Sequence, residues 1–260
     1  MNRVETLISF LPLSHVLERS AGYHAAFMNG CHVAFAESVE KVVENIVEIQ
    51  PTMMVSVPRL FEKIYSRVYE NVHLMNPLKR KMFHKAVEVG RAYVYCKYVH
   101  QNKTGMLGVK YRIADRLVFK KIRKRFGGRL RLCICGGAPL DKTINEFMWI
   151  IGIPTCEGYG LTETSPAVTL NSFAEIRFGS VGRLLGQTEA KLAPDGELQI
   201  KGPQVMRGYY QNSTATDDVL VDGWFSTGDI AKIDEEGFIY IVDRKKEIIV
   251  TAGGKNIAPH

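Results

Sequence analysis

The residues best suited to chemistry stand together at Glu157-Gly158-Tyr159-Gly160-Leu161-Thr162-Glu163-Thr164. Glycines at alternate positions let the backbone approach a flat or anionic ligand closely. Tyr159 offers an aromatic face, Thr162 a hydroxyl, and Glu163 a hard oxygen suited to Mg2+. Taken alone, the run reads equally well as an ordinary loop. Three further segments stand in order around it. Upstream, Cys135-Gly136-Gly137-Ala138-Pro139-Leu140 is a strand end feeding a turn of small residues, the kind of place where open α/β sheets gather ligands. Downstream, Gly223-Trp224-Phe225-Ser226-Thr227-Gly228-Asp229 sets a carboxylate after a glycine. A carboxylate so placed can accept both hydroxyls of a ribose, or can simply cap a helix or turn. Last, Asp243-Arg244-Lys245-Lys246-Glu247 leads into Gly253-Gly254-Lys255-Asn256-Ile257, on its own a charged turn between strands.

The flanking sequence predicts the elements that carry these segments. Val39, Val42, Val43, Ile46 and Val47 recur at helical spacing, and Thr52 to Val57 then reads as a buried strand ended by Pro58. A long basic and aromatic helical stretch follows, broken at Pro77 and Gly105. Its aromatic and Met-rich part, Tyr65 to Tyr98, reads as core packing. Leu130 to Cys135 is a second buried strand. This alternation predicts a layered sheet with helices on its faces. After about Asn171 the texture turns strand-rich. One hairpin is expected at 190–193 and 197–201 around Pro194-Asp195-Gly196, and another at 232–233 and 238–242 through Asp234 to Gly237. The reading is an α/β fold: an α/β subdomain over 1–170, a strand-rich subdomain over 171–242, and a hinge with the start of a further domain over 243–260.

Composition narrows the class. The 260 residues are 46% hydrophobic and 23% charged, a globular balance. No apolar run reaches the roughly 20 residues that span a bilayer. The five cysteines have no C-x-x-C spacing, so neither a zinc site nor a disulfide frame is supported. The net charge of +7 is concentrated between Lys110 and Arg131. That stretch reads either as a solvated helix face or as a membrane-surface contact. Nucleic acid is disfavoured, because no recognition-helix, zinc or aromatic-stacking signature accompanies the charge.

The four segments, in this order and spacing, resemble the AMP-forming adenylating superfamily of acyl-CoA synthetases, luciferases and peptide-synthetase adenylation domains. The likeness covers nearly the whole chain. Ser9 to Arg19 and Val57 to Lys63 resemble its long-chain fatty acyl branch. The resemblance implies an adenine slot of Gly136, Gly137, Ala138, Glu157, Gly158 and Tyr159, with Tyr159 stacked on the base. It puts Thr162 on the phosphates, Glu163 on Mg2+, Asp229 on the ribose hydroxyls and Arg244 on the ribose and phosphate side. His15 would lie beside the reacting carboxylate, in competition with a plain role packed under the following helix. Gly253 and Gly254 would line the pantetheine channel, with Asp243 near the hinge. The implied substrates are a long-chain fatty acid, ATP with Mg2+, and coenzyme A. The implied reaction is a two-step ligation through an acyl-adenylate.

Two departures qualify the resemblance. The family's Ser/Thr/Gly-rich phosphate loop, expected before Leu11-Pro12-Leu13-Ser14-His15, is not seen, and its terminal lysine domain would follow Pro259. The implied chain is the partial large domain of an adenylate-forming enzyme, cut short at both ends and inactive alone. A non-catalytic nucleotide- or acyl-binding module and a basic peripheral membrane-binding protein are the alternatives. A cytoplasmic location, with peripheral contact at the inner membrane face, is expected.

Overall fold

Short apolar runs closed by Pro, Gly or polar residues set the strands. In a computed structural model, which describes residues 5–245 and the backbone of 249–250 and 256–257, they build two compact units. One comprises Met1–Glu157 and Ser172–Phe178, the other Gly158–Asn171 and Gly179–His260, as far as these residues are described. Residues 158–170, expected in the α/β subdomain, group with the second unit, and Ser172–Phe178, just past the change of texture at Asn171, groups with the first.

The first unit holds a parallel sheet. Its strands are β1 (Thr6–Ser9), β2 (His32–Phe35), β3 (Met53–Ser56), β4 (Leu132–Cys135) and β5 (Thr155–Tyr159), in the order β2-β1-β3-β4-β5. Parallel strands need crossovers, and the helices supply them. These are α1 (Ala25–Met28), α2 (Val42–Ile49), α3 (Pro58–His73), α4 (Pro77–Val94), α5 (Gly105–Ala114), α6 (Lys120–Lys124) and α7 (Lys142–Ile150). The expected strand before Pro58 is present, and Pro58 opens α3 at its first turn, where its missing N–H costs nothing. The expected breaks are present too: α3 ends at His73 before Pro77 opens α4, and Gly105 opens α5. The helix expected from Val39 starts three residues later, leaving Val39 exposed.

Leu60, Phe61, Ile64, Val68 and Val72 of α3 are buried along one stripe. Each such side chain taken from water stabilises the fold by about 1.5–3 kcal/mol. Tyr65, Tyr69, Phe83 and Phe147 meet ring to ring at 4.5 to 6.5 Å. Phe83 and Phe147 are core, and Tyr65 and Tyr69 pack on them half-buried.

The second unit is strand-rich. Gly158 and Tyr159, the end of β5, pair antiparallel with β6 (Thr169–Leu170), and β6 pairs with β7 (Arg183–Leu184). The expected hairpins are β8 (Glu189–Leu192) with β9 (Glu197–Lys201), and β11 (Trp224–Ile233) with β12 (Ile239–Arg244). A helix, α8 (Ser213–Val219), leads into β10 (Leu220–Val221) at the edge beside β11. Val168, Val181, Leu198, Ile200, Ala231 and Ile239 form this unit's core.

Candidate functional site

In the first unit, the loops after β1 and β4 leave from the carboxyl ends of parallel strands. After β4 the chain turns at Gly136, whose N–H donates to the Ser56 carbonyl at 3.2 Å. Gly137 and Ala138 are exposed, and Leu140 returns to the interior. Asp141 then caps α7, accepting from the Thr143 and Ile144 amides at 2.8 and 3.1 Å, a cap worth ~1 kcal/mol.

Glu157 fastens this turn. It pairs with Cys135 across β4 and β5, and its Oε1 accepts the Leu140 N–H at 3.0 Å. Its Oε2 and the Asn145 side-chain amide are buried without a hydrogen-bond partner. Burial pushes the Glu157 carboxyl up to about 7, against the opposing pull of the Leu140 amide. His15, on the loop after β1, is exposed, and its Nδ1 accepts the Leu17 N–H at 3.2 Å. The alternative of a histidine packed under the following helix is therefore corrected: Leu17 and Glu18 turn inward there instead.

In the second unit, the run after Tyr159 folds back sharply. A Cβ at Gly160 would lie 1.4 Å from the Pro166 carbonyl oxygen, so only glycine fits. The turn Thr162–Thr164 is held by Thr164, whose Oγ1 accepts the Leu161 N–H at 2.9 Å. This leaves Thr162 exposed and Glu163 half-buried. Glu163 Oε1 accepts the Tyr209 hydroxyl at 3.0 Å, and its carbonyl accepts the Met206 N–H at 2.8 Å. Sequence reasoning missed Tyr209, because nothing in its local pattern marks a partner 46 residues away.

Asp229 owes its position to a bulge. Ser226 pairs with Gln199 and Ile230 with Glu197, so Thr227, Gly228 and Asp229 face the single residue Leu198. Gly228 takes φ +75°, a value open to glycine at little cost. Its N–H donates to Glu197 Oε1 at 2.8 Å. Thr227 Oγ1 donates to the Leu198 carbonyl at 2.8 Å and accepts the Asp229 N–H at 3.1 Å. Bulges of this kind re-aim a side chain.

Here the carboxylate is buried. Oδ2 accepts the Tyr159 hydroxyl at 2.6 Å, and Oδ1 lies 3.4 Å from Arg244 Nε, directly across the ladder. Burial, and then Asp229, push the Tyr159 hydroxyl far above its ordinary range, so it stays protonated and donates. Asp229 is thus neither a helix cap nor a simple turn residue. Arg244 ends β12 with a largely exposed side chain. Next to it, Lys245 Nζ lies 2.7 Å from both Asp195 Oδ2 and Glu197 Oε2. Glu197 therefore holds both the bulge and the chain after Arg244. Gly253 and Gly254 lie outside the described residues.

Among the described residues, no group of three or more His, Cys, Asp or Glu stands ready to hold a metal. A single carboxylate such as Glu163 can nonetheless suit Mg2+, which completes its shell with substrate phosphates and water.

A parallel sheet with a glycine turn at a strand's carboxyl end, followed by a strand-rich unit presenting a Tyr–Asp–Arg group, defines a mixed α/β protein. The chain belongs to the AMP-binding enzyme family, whose model matches residues 1–210. Among curated relatives, it is 40% identical over 260 residues to the long-chain-fatty-acid–CoA ligase FadD15 of Mycobacterium bovis, covering 100% of this chain and 42% of that protein. It is 34% identical to long chain acyl-CoA synthetase 1 of Arabidopsis thaliana, covering 99% of this chain and 40% of that one. The chain thus spans about two fifths of the length of these relatives. The fold is shared with ATP-bound MatB from Rhodopseudomonas palustris, at TM-score 0.69 and 24% identity, over 98% of this chain and 43% of that one.

Proposed function

We propose that the protein activates a long-chain fatty acid with ATP, forming an acyl-adenylate that coenzyme A then converts to acyl-CoA. Support comes from the family, from relatives named as long-chain ligases, and above all from the buried Asp229 carboxylate presented beside Tyr159 and Arg244.

In this reading Asp229 accepts the ribose hydroxyls and Tyr159 lies against the adenine. Gly136, Gly137, Ala138, Glu157 and Gly158 shape the wall for the base. Thr162 donates to phosphate oxygens, and Arg244 adds positive charge on the ribose and phosphate side. Glu163 would hold Mg2+, which supplies charge neutralisation at the phosphates. His15 stands beside the fatty carboxylate, and Gly253 and Gly254 line the path of the pantetheine arm. A carboxylate is a weak nucleophile toward the α-phosphate. The residues therefore act by alignment and by stabilising charge on phosphate oxygens.

Calorimetric titration with ATP, and with stable acetyl- and palmitoyl-adenylate mimics, tests the reading. The palmitoyl mimic should bind more tightly than the acetyl one. Asp229→Ala should weaken ATP and both mimics tenfold or more, because hydrogen bonds to a charged group contribute about 1.5–3 kcal/mol each. Equal affinity for the two mimics, or an Asp229→Ala protein that binds as wild type does, would overturn it.

A further inference from the structure

We propose that the outer face of α5 and the basic turns after it is a docking surface for an anionic lipid bilayer. The proposal is independent of the nucleotide reading.

The inner face of this segment is fixed by contacts. Tyr111 stacks on Tyr93 at 4.0 Å and 6°, and its hydroxyl donates to the Ile150 carbonyl at 3.1 Å. Ala114, Val118 and Phe119 are buried. Arg123 is turned inward, donating to Asp115 at 2.5 Å and to the Ile151 carbonyl at 2.6 Å.

What remains outside is unusual for a solvated helix. Met106, Val109, Ile113 and Leu117 are exposed to 72%, 46%, 56% and 48%. Their spacing of three, four and four puts them on one stripe. Exposed Lys110, Arg112, Arg116, Lys120, Lys121 and Lys124 accompany that stripe. The only acid between Lys110 and Arg131 is Asp115, and Arg123 already occupies it.

A merely solvated face needs no apolar stripe, and an apolar protein partner needs no such excess of cations. A surface offering both hydrocarbon and negative charge matches the two features together, as interfacial helices do. No helix among the described residues is long and apolar enough to cross a membrane, so the contact would be peripheral.

Co-sedimentation of the protein with vesicles tests this, comparing phosphatidylcholine alone with phosphatidylcholine–phosphatidylglycerol mixtures. Binding should require phosphatidylglycerol and fall as salt is raised. Each cation near such a surface changes partitioning about fivefold. The double reversal Lys120→Glu, Lys121→Glu should therefore lower it by about 25-fold or more. Ile113→Ser with Leu117→Ser should also lower binding, but should leave its salt dependence in place. These positions are exposed, so thermal melts should be unchanged. The proposal is overturned if wild type binds neither vesicle or binds both equally. It is also overturned if the apolar variant leaves vesicle binding intact and instead abolishes self-association in sedimentation velocity, which would make the face an interface between copies.

Discussion

The glycine turn of the first unit and the Asp229 bulge of the second are both presented by strands and both fastened by a glutamate, yet the fastenings differ in kind. Glu157 is buried, holds one backbone amide, and leaves its other oxygen unpartnered. Glu197 also holds one amide, Gly228, but its second oxygen reaches Lys245, whose side chain is half exposed and also meets Asp195. The first arrangement draws its strength from a low-dielectric interior and is sensitive to protonation. The second pairs a buried carboxylate with a half-exposed lysine and is sensitive to salt. The same residue type thus ties down two loops with opposite vulnerabilities.

The largest expected effect breaks neither fastening but the backbone between them. Gly160→Ala would force a Cβ into the Pro166 carbonyl, so the chain must move. A loss of about 3 kcal/mol or more is expected in urea unfolding. A melt equal to wild type would mean the fold-back after Tyr159 is not as described.

Next in size is the pH response of the first fastening. The Glu157 carboxyl is raised from 4.5 to about 7, so the folded state binds a proton that the unfolded state has lost between those values. Its stabilising contribution is full below pH 4.5 and is lost as pH rises through 7, on the order of 3 kcal/mol. Glu157→Gln keeps an acceptor for the Leu140 amide without the charge. The variant should therefore lose less stability than wild type between pH 5 and pH 8. Parallel pH curves for the two proteins would remove Glu157 from the account.

Tyr159→Phe isolates the hydroxyl held by the buried Asp229 carboxylate. Leaving that oxygen short of a donor should cost about 1–3 kcal/mol of stability, with a weaker effect on ATP affinity than Asp229→Ala. If the two substitutions weaken ATP equally, Tyr159 does more than orient the carboxylate.

Smallest is the second fastening. Its carboxylates push Lys245 up to about 12, but the lysine is half exposed and solvent screens it, and pairs so screened are generally worth about 0–1 kcal/mol. Lys245→Met should lower stability by no more than that, and the difference should vanish at 1 M salt, where the screening length is about 3 Å. A salt-independent loss would show that Lys245 acts through packing.

Local pattern made much of this molecule legible. The strand before Pro58, the two hairpins around Gly196 and Gly237, and the strand entering Gly136 follow from periodicity and turn chemistry. The candidate site was legible as separate segments, because glycine, tyrosine, threonine and carboxylate at short spacing carry their chemistry with them. What joins them was not. The bonds from Tyr159 to Asp229, from Tyr209 to Glu163 and from Lys245 to Glu197 cross 70, 46 and 48 residues. Such pairings leave no periodic trace. In sequence Glu157 reads as part of a ligand wall, and its hold on Leu140 appears only once β4 and β5 lie side by side. The exposed stripe of α5 was hidden for a related reason: helical spacing shows that a stripe exists, but contacts with Tyr93 and Ile150 decide which side turns inward.

Whether Asp229 reads a ribose is decided by a cycle that removes each partner in turn. ATP and its 2′-deoxy and 3′-deoxy analogues are titrated into wild type and Asp229→Ala. Loss of a ribose hydroxyl should weaken binding about tenfold in wild type and make no difference once the carboxylate is gone. Equal penalties for the deoxy analogues in both proteins would contradict it, and would leave Asp229 as a structural partner of Tyr159 and Arg244.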